Sequence, residues 1–258
     1  MIKPGKYKKK LAYFWMALGI LALGAGWQWI AMLYGPLIVP LPVETIKAML
    51  GLLSSPEGLA EIYQTFYRCL IAMLLLTITA VTAGMLAGFK PWLAQLIKPL
   101  SDILIAIPPV ALTLLVIFLF GGGGVQTVAV AVALGFPLLY GGTLTAVRSL
   151  DRDLLEMFRA YKVSKTVQLW DGFLPAVIYA VIPNILLAAG LVVRLMVMAE
   201  IIVGMQRGIG PALSIARVHM DTEELFAWLL LMAAAVLIME GVLLYLTKKH
   251  LLRWQAGR

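Results

Sequence analysis

Charged residues are scarce in this chain: Asp, Glu, Lys and Arg make up only 13% of the 258 residues, whereas 62% are hydrophobic. Soluble globular domains have about 25% charged and about 45–50% apolar residues. A soluble fold this apolar could not cover its surface with polar groups, so we infer that lipid solvates much of it. The length suits a single domain, residues 1–258, with five to seven membrane-spanning helices of about 20 residues each.

Metal-ligating and nucleotide-binding residues are also sparse. The chain has one cysteine, Cys69, and two histidines, His219 and His250, which excludes a disulfide framework and a Cys/His metal site. No G-x-x-x-x-G-K-[ST] phosphate loop occurs, and the run Gly121–Gly124 predicts a tight turn. The clustered Asp, His–Glu or Ser–Lys groups of an intramembrane enzyme are missing too. We therefore expect no cofactor on this chain and no enzymatic activity of its own.

Apolar segments long enough to cross a hydrocarbon core of about 30 Å are, by contrast, frequent. A lysine cluster precedes the first, as in a signal peptide, but the apolar run exceeds the ~7–15 residues of a signal core, which favours an uncleaved anchor. The pattern predicts an all-α membrane protein with about six transmembrane helices. These predicted spans are residues 11–33, 65–89, 101–120, 125–147, 174–203 and 224–247.

Lysine and arginine fall unevenly on the two sides of these spans. Sixteen of the 21 lie in the N-terminal segment, the C-terminal segment and the two loops on the same side, and three lie on the opposite side. Because basic residues concentrate in cytoplasmic loops, both termini are predicted to be cytoplasmic. The net charge of +8 thus reflects topology, and no nucleic-acid partner is needed to explain it.

The cytoplasmic loop 148–172 has the pattern of a short amphipathic helix. Leu154, Met157, Phe158 and Tyr161 recur at i, i+3, i+4 and i+7 and form one apolar stripe. Such a stripe either lies on the surface of its own membrane or enters a groove of a soluble partner. The loop is therefore the segment most informative about function.

The loop resembles the E-A-A, three residues, Gly, nine residues, Ile-x-Leu-Pro motif of permease subunits of binding-protein-dependent ABC importers. Glu156, Leu174 and Pro175 match that motif with the right spacing. Met157-Phe158 replaces Ala-Ala, Lys162 replaces the glycine and Gly172 replaces the isoleucine. A glycine would end the helix in a left-handed turn, which costs lysine about 1 kcal/mol or more, so the junction after Lys162 is expected to differ.

Flanking stretches extend the resemblance from about Leu41 to Trp254, and they are similar to the permeases that import alkanesulfonates, taurine, nitrate or bicarbonate. The matching stretches are Leu41-Pro42, Arg68, Ile107-Pro108, Phe136-Pro137, Ser149–Tyr161, Ala199-Glu200 and Gly208-Ile209-Gly210.

The resemblance implies a type I permease fold in the bacterial inner membrane. It implies a homodimer with two cytosolic ABC ATPases, which hold ATP and Mg²⁺, and an external solute-binding protein. Alternating access would then import a small anion; riboflavin and thiamine-precursor importers look alike, so a vitamin precursor is the alternative cargo. The expected coupling residues are Leu154, Glu156, Met157, Phe158, Tyr161, Lys162, Leu174 and Pro175.

Polar residues and prolines within the spans are the candidates for a translocation pathway. A central arginine costs about 2.5–3.5 kcal/mol on insertion scales, so Arg194 should face protein or water. It either contacts an anionic cargo, pairs structurally with a carbonyl or carboxylate, or extends its charged end to the membrane surface, and Glu200 and Glu240 are the candidate counter-ions. Prolines kink their spans and free carbonyls that lipid cannot satisfy. The expected pathway residues are Arg194, Asn184, Pro108, Pro137 and Glu200.

Two further classes of transport protein remain open. A secondary transporter usually has inverted repeats and more intramembrane carboxylates than this chain shows. A stand-alone channel is opposed only by the amphipathic loop. Copurification of an ATPase distinguishes the importer from both.

Overall fold

The computed structural model describes residues 6–149, 157–158, 160–161 and 163–255, and within these the chain is helical with connecting turns. Its longer helices are α1 (Lys6–Tyr34), α2 (Pro42–Ser54), α3 (Pro56–Phe89), α4 (Pro91–Ala106), α5 (Pro109–Phe120) and α6 (Gly124–Arg148). After the loop, α7 (Lys165–Val167) continues through a π-helical turn (Gln168–Phe173) into α8 (Leu174–Val203). The chain ends with α9 (Ile209–Val218) and α10 (Thr222–Gln255).

The predicted all-α membrane fold is confirmed. Within the described part of the chain, five helices are long and apolar enough to cross a membrane, and α4 with α5 supplies a sixth span if the bent pair is counted as one. The predicted span 174–203 coincides with α8, whereas α3 begins nine residues before the predicted 65 and α10 continues past 247. Hydropathy identifies the apolar centre of a helix but not its polar ends, so these predicted spans are shorter than the helices.

The predicted third span, 101–120, is not one helix. Helix α4 ends at Ala106, α5 begins at Pro109, and the two axes differ by 104°. Pro108 and Pro109 have no N–H, so they cannot donate to the carbonyls four residues earlier, and the ring of each clashes with the preceding turn. The two adjacent prolines therefore break the helix where a single one would only kink it.

The described helices fall into two compact units. The first comprises Met1–Leu59 and Ala212–Met232, and the second comprises Ala60–Pro211 and Ala233–Arg258. In the first, Trp27 donates from Nε1 to the carbonyl of Pro40 at 3.0 Å, and Thr222 donates to the carbonyl of Pro36 at 3.0 Å. These bonds fix the turn between α1 and α2 against the start of α10.

In the second unit, α8 is the most deeply buried helix, and α6 is its main neighbour. Gly142 allows close contact between the two, because a Cβ there would clash with the amide of Asn184. Helix α3 approaches α6 through Gly84, where a Cβ would lie 2.6 Å from Cβ of Thr143. Small residues bring membrane helices close enough for backbone and side chains to interlock.

Candidate functional site

A buried carboxylate at the C-terminal end of α8 is the centre of the main polar cluster of the described chain. Glu200 is 0% exposed. Nη1 of Arg68 on α3 donates to its Oε1 at 2.6 Å, and Oγ1 of Thr65 lies 3.0 and 2.9 Å from its two oxygens. A buried carboxylate is retained only where such partners replace water. We call Glu61, Thr65, Arg68 and Glu200 the Glu200 cluster.

The same cluster holds the start of α9. Three successive backbone N–H groups, those of Gly208, Ile209 and Gly210, donate to side chains of other helices. Gly208 donates to a carboxylate oxygen of Glu61, Ile209 to Oγ1 of Thr65 at 2.8 Å, and Gly210 to Oε2 of Glu200 at 3.1 Å. The first N–H groups of a helix lack intrahelical partners and carry partial positive charge, so acidic side chains suit them.

Glycine is required beside this carboxylate for two reasons. Gly208 has φ +137°, a conformation that other residues rarely adopt, and a Cβ there would lie 2.6 Å from Oε2 of Glu200. Gly210 has no space either, since its Cβ would lie 2.5 Å from Cβ of Glu200. The Gly208-Ile209-Gly210 stretch and Glu200, which the sequence presents as separate matches, are therefore one structural unit.

A polar cavity of about 480 Å³ lies beside the cluster. We call it the Arg68 cavity. It is bordered by one face of α3, the glycine turn before α6 and the segment after α8. Its lining residues are Gln64, Arg68, Gly122, Gly123, Val203, Gly204, Met205, Gln206 and Arg207.

Arg194 lies on an exposed stripe of α8. Between 181 and 203 most residues of this helix are buried or half-buried, whereas Leu187, Arg194 and Ile201 are exposed at seven-residue spacing, which places them on one face. Neither predicted counter-ion forms an ion pair with Arg194 in the described chain, because Glu200 pairs with Arg68 and the Glu240 carboxylate packs against Gly190, one turn away.

The other predicted pathway residues occupy varied positions. Asn184 is half-buried and contacts Gly142, and Pro137 is buried inside α6. Pro108 caps the start of α5 at the break between α4 and α5. Glu200 is fully buried within its cluster and is not among the residues that line the Arg68 cavity. Their role in a pathway remains a prediction.

The predicted coupling residues are only partly described. Leu154, Glu156 and Lys162 lie outside the described residues, and Leu174 and Pro175 open α8. Met157 and Tyr161 are exposed, the latter by 78%, but Phe158 is buried at 7% and its ring fills the space beside Gly172. Of the described residues of the apolar stripe, Phe158 therefore packs on its own chain, whereas Met157 and Tyr161 are exposed.

Glu61 and Thr65 are not among the site residues predicted from sequence, and Arg68 is predicted only as a position that matches the family. A signal was present: the three recur at i, i+4 and i+7 and form one polar stripe at the start of an otherwise apolar span. Hydropathy alone could not show which carboxylate they would meet, because Glu200 is 135 residues from Thr65 in sequence.

The helices and this buried polar cluster define a multi-pass membrane protein, and comparison with known proteins gives its family. Residues 80–255 match the family described as binding-protein-dependent transport system inner membrane component. The chain belongs to this family. It is therefore an ABC-importer-type permease, a transport component of the inner membrane.

Two relatives cover nearly the whole chain, and a third covers part of it. A putative aliphatic sulfonates transport permease of Bacillus subtilis is 28% identical over 98% of this chain and 91% of its own length. The taurine transport system permease of Escherichia coli is 21% identical over 93% of this chain and 92% of its own. A riboflavin transport system permease of Chloroflexus aurantiacus is 30% identical, over 64% of this chain and 61% of its own. The resemblance to the sulfonate and taurine branch is thereby confirmed.

Proposed function

We propose that this permease imports a small organic anion, such as a sulfonate or taurine, in a complex of two copies with two cytosolic ABC ATPases and an external binding protein. The observation that supports the cargo best is full-length similarity to sulfonate and taurine permeases, against a partial match to a riboflavin permease. ATP and Mg²⁺ bind to the ATPases, and no nucleotide binds to this chain. Both termini are cytoplasmic, as the distribution of basic residues predicts.

The loop 148–172 transmits closure of the ATPases to the spans in this proposal. Tyr161, exposed by 78%, is the described side chain best placed to enter a groove on a soluble partner. Phe158 contributes indirectly, because it packs beside Gly172 and holds the loop against the start of α8. Docking and loop folding can therefore be separated by mutation.

The test is purification of the tagged permease from its native membrane, with and without Tyr161→Asp. We expect the unmodified chain to retain a polypeptide that carries G-x-x-x-x-G-K-[ST], and its proteoliposomes to take up labelled taurine only with ATP and binding protein. Tyr161→Asp should lose most of the ATPase at unchanged thermal stability, since it places a charge in an apolar contact. Met220→Asp, an exposed site that the predicted topology puts on the other side of the membrane, is the control.

Uptake of taurine without an ATPase would overturn the importer in favour of a secondary transporter or channel. Uptake of riboflavin but not of taurine or alkanesulfonates would overturn the anion cargo alone. If Tyr161→Asp retained the ATPase and normal turnover, the docking assignment would be wrong while the importer itself stood.

A further inference from the structure

The Arg68 cavity has the chemistry of an oxyanion site. Two arginines, Arg68 and Arg207, and two amides, Gln64 and Gln206, line it, and no carboxylate stands among its lining residues. Glu200 lies behind Arg68, where it neutralises one edge of that guanidinium without reaching the cavity. Arg207 is exposed and forms no ion pair with another described residue.

Only some of the hydrogen-bond donors of Arg68 have an acceptor in the described chain. A guanidinium has five N–H donors in a planar fork. The two on Nη1 are taken by Oε1 of Glu200 at 2.6 Å and by the carbonyl of Arg207 at 2.9 Å. The structure shows no acceptor among the described residues for the Nε and Nη2 donors. That edge presents two parallel N–H donors, which suit bidentate binding of a carboxylate, phosphate or sulfonate.

The Glu200 cluster also makes Arg68 rigid. Its side chain is 11% exposed and is fixed between α3, the end of α8 and the segment before α9. A donor held in place by other hydrogen bonds loses little conformational entropy when a ligand arrives. A flexible surface arginine has no such advantage, so an anion in the cavity meets a preorganised partner.

We propose that the Arg68 cavity binds the oxyanion headgroup of the cargo, a sulfonate or carboxylate, through the Nε–Nη2 edge of Arg68 and the side chain of Arg207. This inference rests on the proposed function for its cargo and for the position of the cavity at the outer face. It makes the cavity the first site of contact with the permease after release from the binding protein.

The experiment measures ligand stabilisation of the purified permease, which requires neither ATPase nor transport. Ethanesulfonate is titrated against the thermal unfolding midpoint, with ethyl methyl sulfone as the neutral analogue. Arg207→Gln is the informative variant, because Arg207 contributes to the cluster only through its backbone carbonyl and so can be changed without breaking it. Arg217→Gln, an exposed arginine of α9 that does not line the cavity, removes the same charge and is the matched control.

We expect saturable stabilisation by ethanesulfonate and none by the sulfone. Arg207→Gln should raise the concentration for half-maximal stabilisation about tenfold, the loss of one charge-assisted contact. Arg217→Gln should leave it unchanged. The proposal is overturned if the sulfone stabilises the protein as the sulfonate does, or if stabilisation does not saturate. It is also overturned if Arg207→Gln and Arg217→Gln change the concentration for half-maximal stabilisation equally.

A phospholipid headgroup presents similar chemistry, so micelles with and without phosphatidylglycerol form a further arm. Stabilisation by this lipid and not by ethanesulfonate would overturn the proposal that the cavity binds a soluble anion. Failure of taurine uptake in proteoliposomes, with ethanesulfonate binding intact, would instead count against the proposed function and leave this site standing.

Discussion

Phe158 is larger, and Gly172 smaller, than the residue that the coupling-loop motif has at the same position. Phe158 stands where the family pattern has alanine, and Gly172 stands where it has isoleucine. The structure puts the two in contact: a Cβ on Gly172 would clash with the ring of Phe158. A large side chain gained at one position is accommodated by a side chain lost at the other, which suggests that the two departures compensate each other.

A double-mutant cycle on this pair tests the compensation. Phe158→Ala should destabilise the detergent-solubilised protein by about 3 kcal/mol through the cavity it leaves. Gly172→Ile should destabilise it by about 1–3 kcal/mol through overpacking. Combined, the two should cost clearly less than their sum, with a coupling energy of about 0.5–3 kcal/mol in denaturant melts. Strict additivity would contradict the contact.

The same contact limits what sequence could show about this loop. The i, i+3, i+4, i+7 spacing identifies an apolar stripe but does not say which of its residues face their own chain. Phe158 and Tyr161 are equivalent members of the stripe in sequence, yet one is 7% and the other 78% exposed. Phe158 packs beside Gly172, and no local pattern links position 158 to position 172.

At the scale of elements, α3 and α6 pack through two glycines four residues apart. Gly84 lies against Thr143, and Gly88 lies so close to Val147 that a Cβ would clash with its side chain. The spacing is that of the G-x-x-x-G pattern, which lets membrane helices approach closely in the absence of a hydrophobic driving force between them. Sequence contains this pattern plainly, but only the structure shows that α6 is the partner.

Gly84→Leu should separate these helices. Because the added side chain has no space beside Thr143, we expect a loss of about 1–3 kcal/mol in unfolding free energy and a clear fall in transport. Gly19→Leu is the control, since Gly19 lies in α1 with nothing within 4 Å of its Cβ position. Equal tolerance of both variants in denaturant melts would mean that the α3–α6 contact does not contribute to stability.

The position of the break between α4 and α5 is predictable from sequence, but its angle is not. Proline spacing marks where backbone donors are missing, so a kink in this span is predictable from Pro108 and Pro109. The extent of the bend, 104°, depends on packing that the sequence does not state locally. By contrast, the predicted span 174–203 has the bounds of α8, although the helix continues without a break from the π-helical turn before Leu174 and its most apolar part is Ala180–Val203.

At the scale of the whole molecule, Arg194 is the charge that a single copy leaves unexplained. It lies within the apolar segment Ala180–Val203, is exposed, and has no ion pair among the described residues. A charged side chain at that depth would be costly against lipid, so its stripe should face a second copy or a watery pathway. The proposed homodimer provides both, with the Leu187–Arg194–Ile201 face of α8 turned toward its counterpart.

Arg194→Gln should then reduce anion uptake by about tenfold while leaving thermal stability and ATPase assembly nearly unchanged. A fixed positive charge in a low-dielectric cavity attracts an anion strongly but must release it, so this position is expected to act on passage more than on retention. Arg194→Lys keeps the charge and should retain most uptake.

Uptake, dimer content and the thermal unfolding midpoint of each Arg194 variant are measured on the same preparations. If Arg194→Gln lowered all three together, arginine would have a structural role at the dimer contact; if Arg194→Lys failed as badly as Arg194→Gln, charge alone would not explain its function.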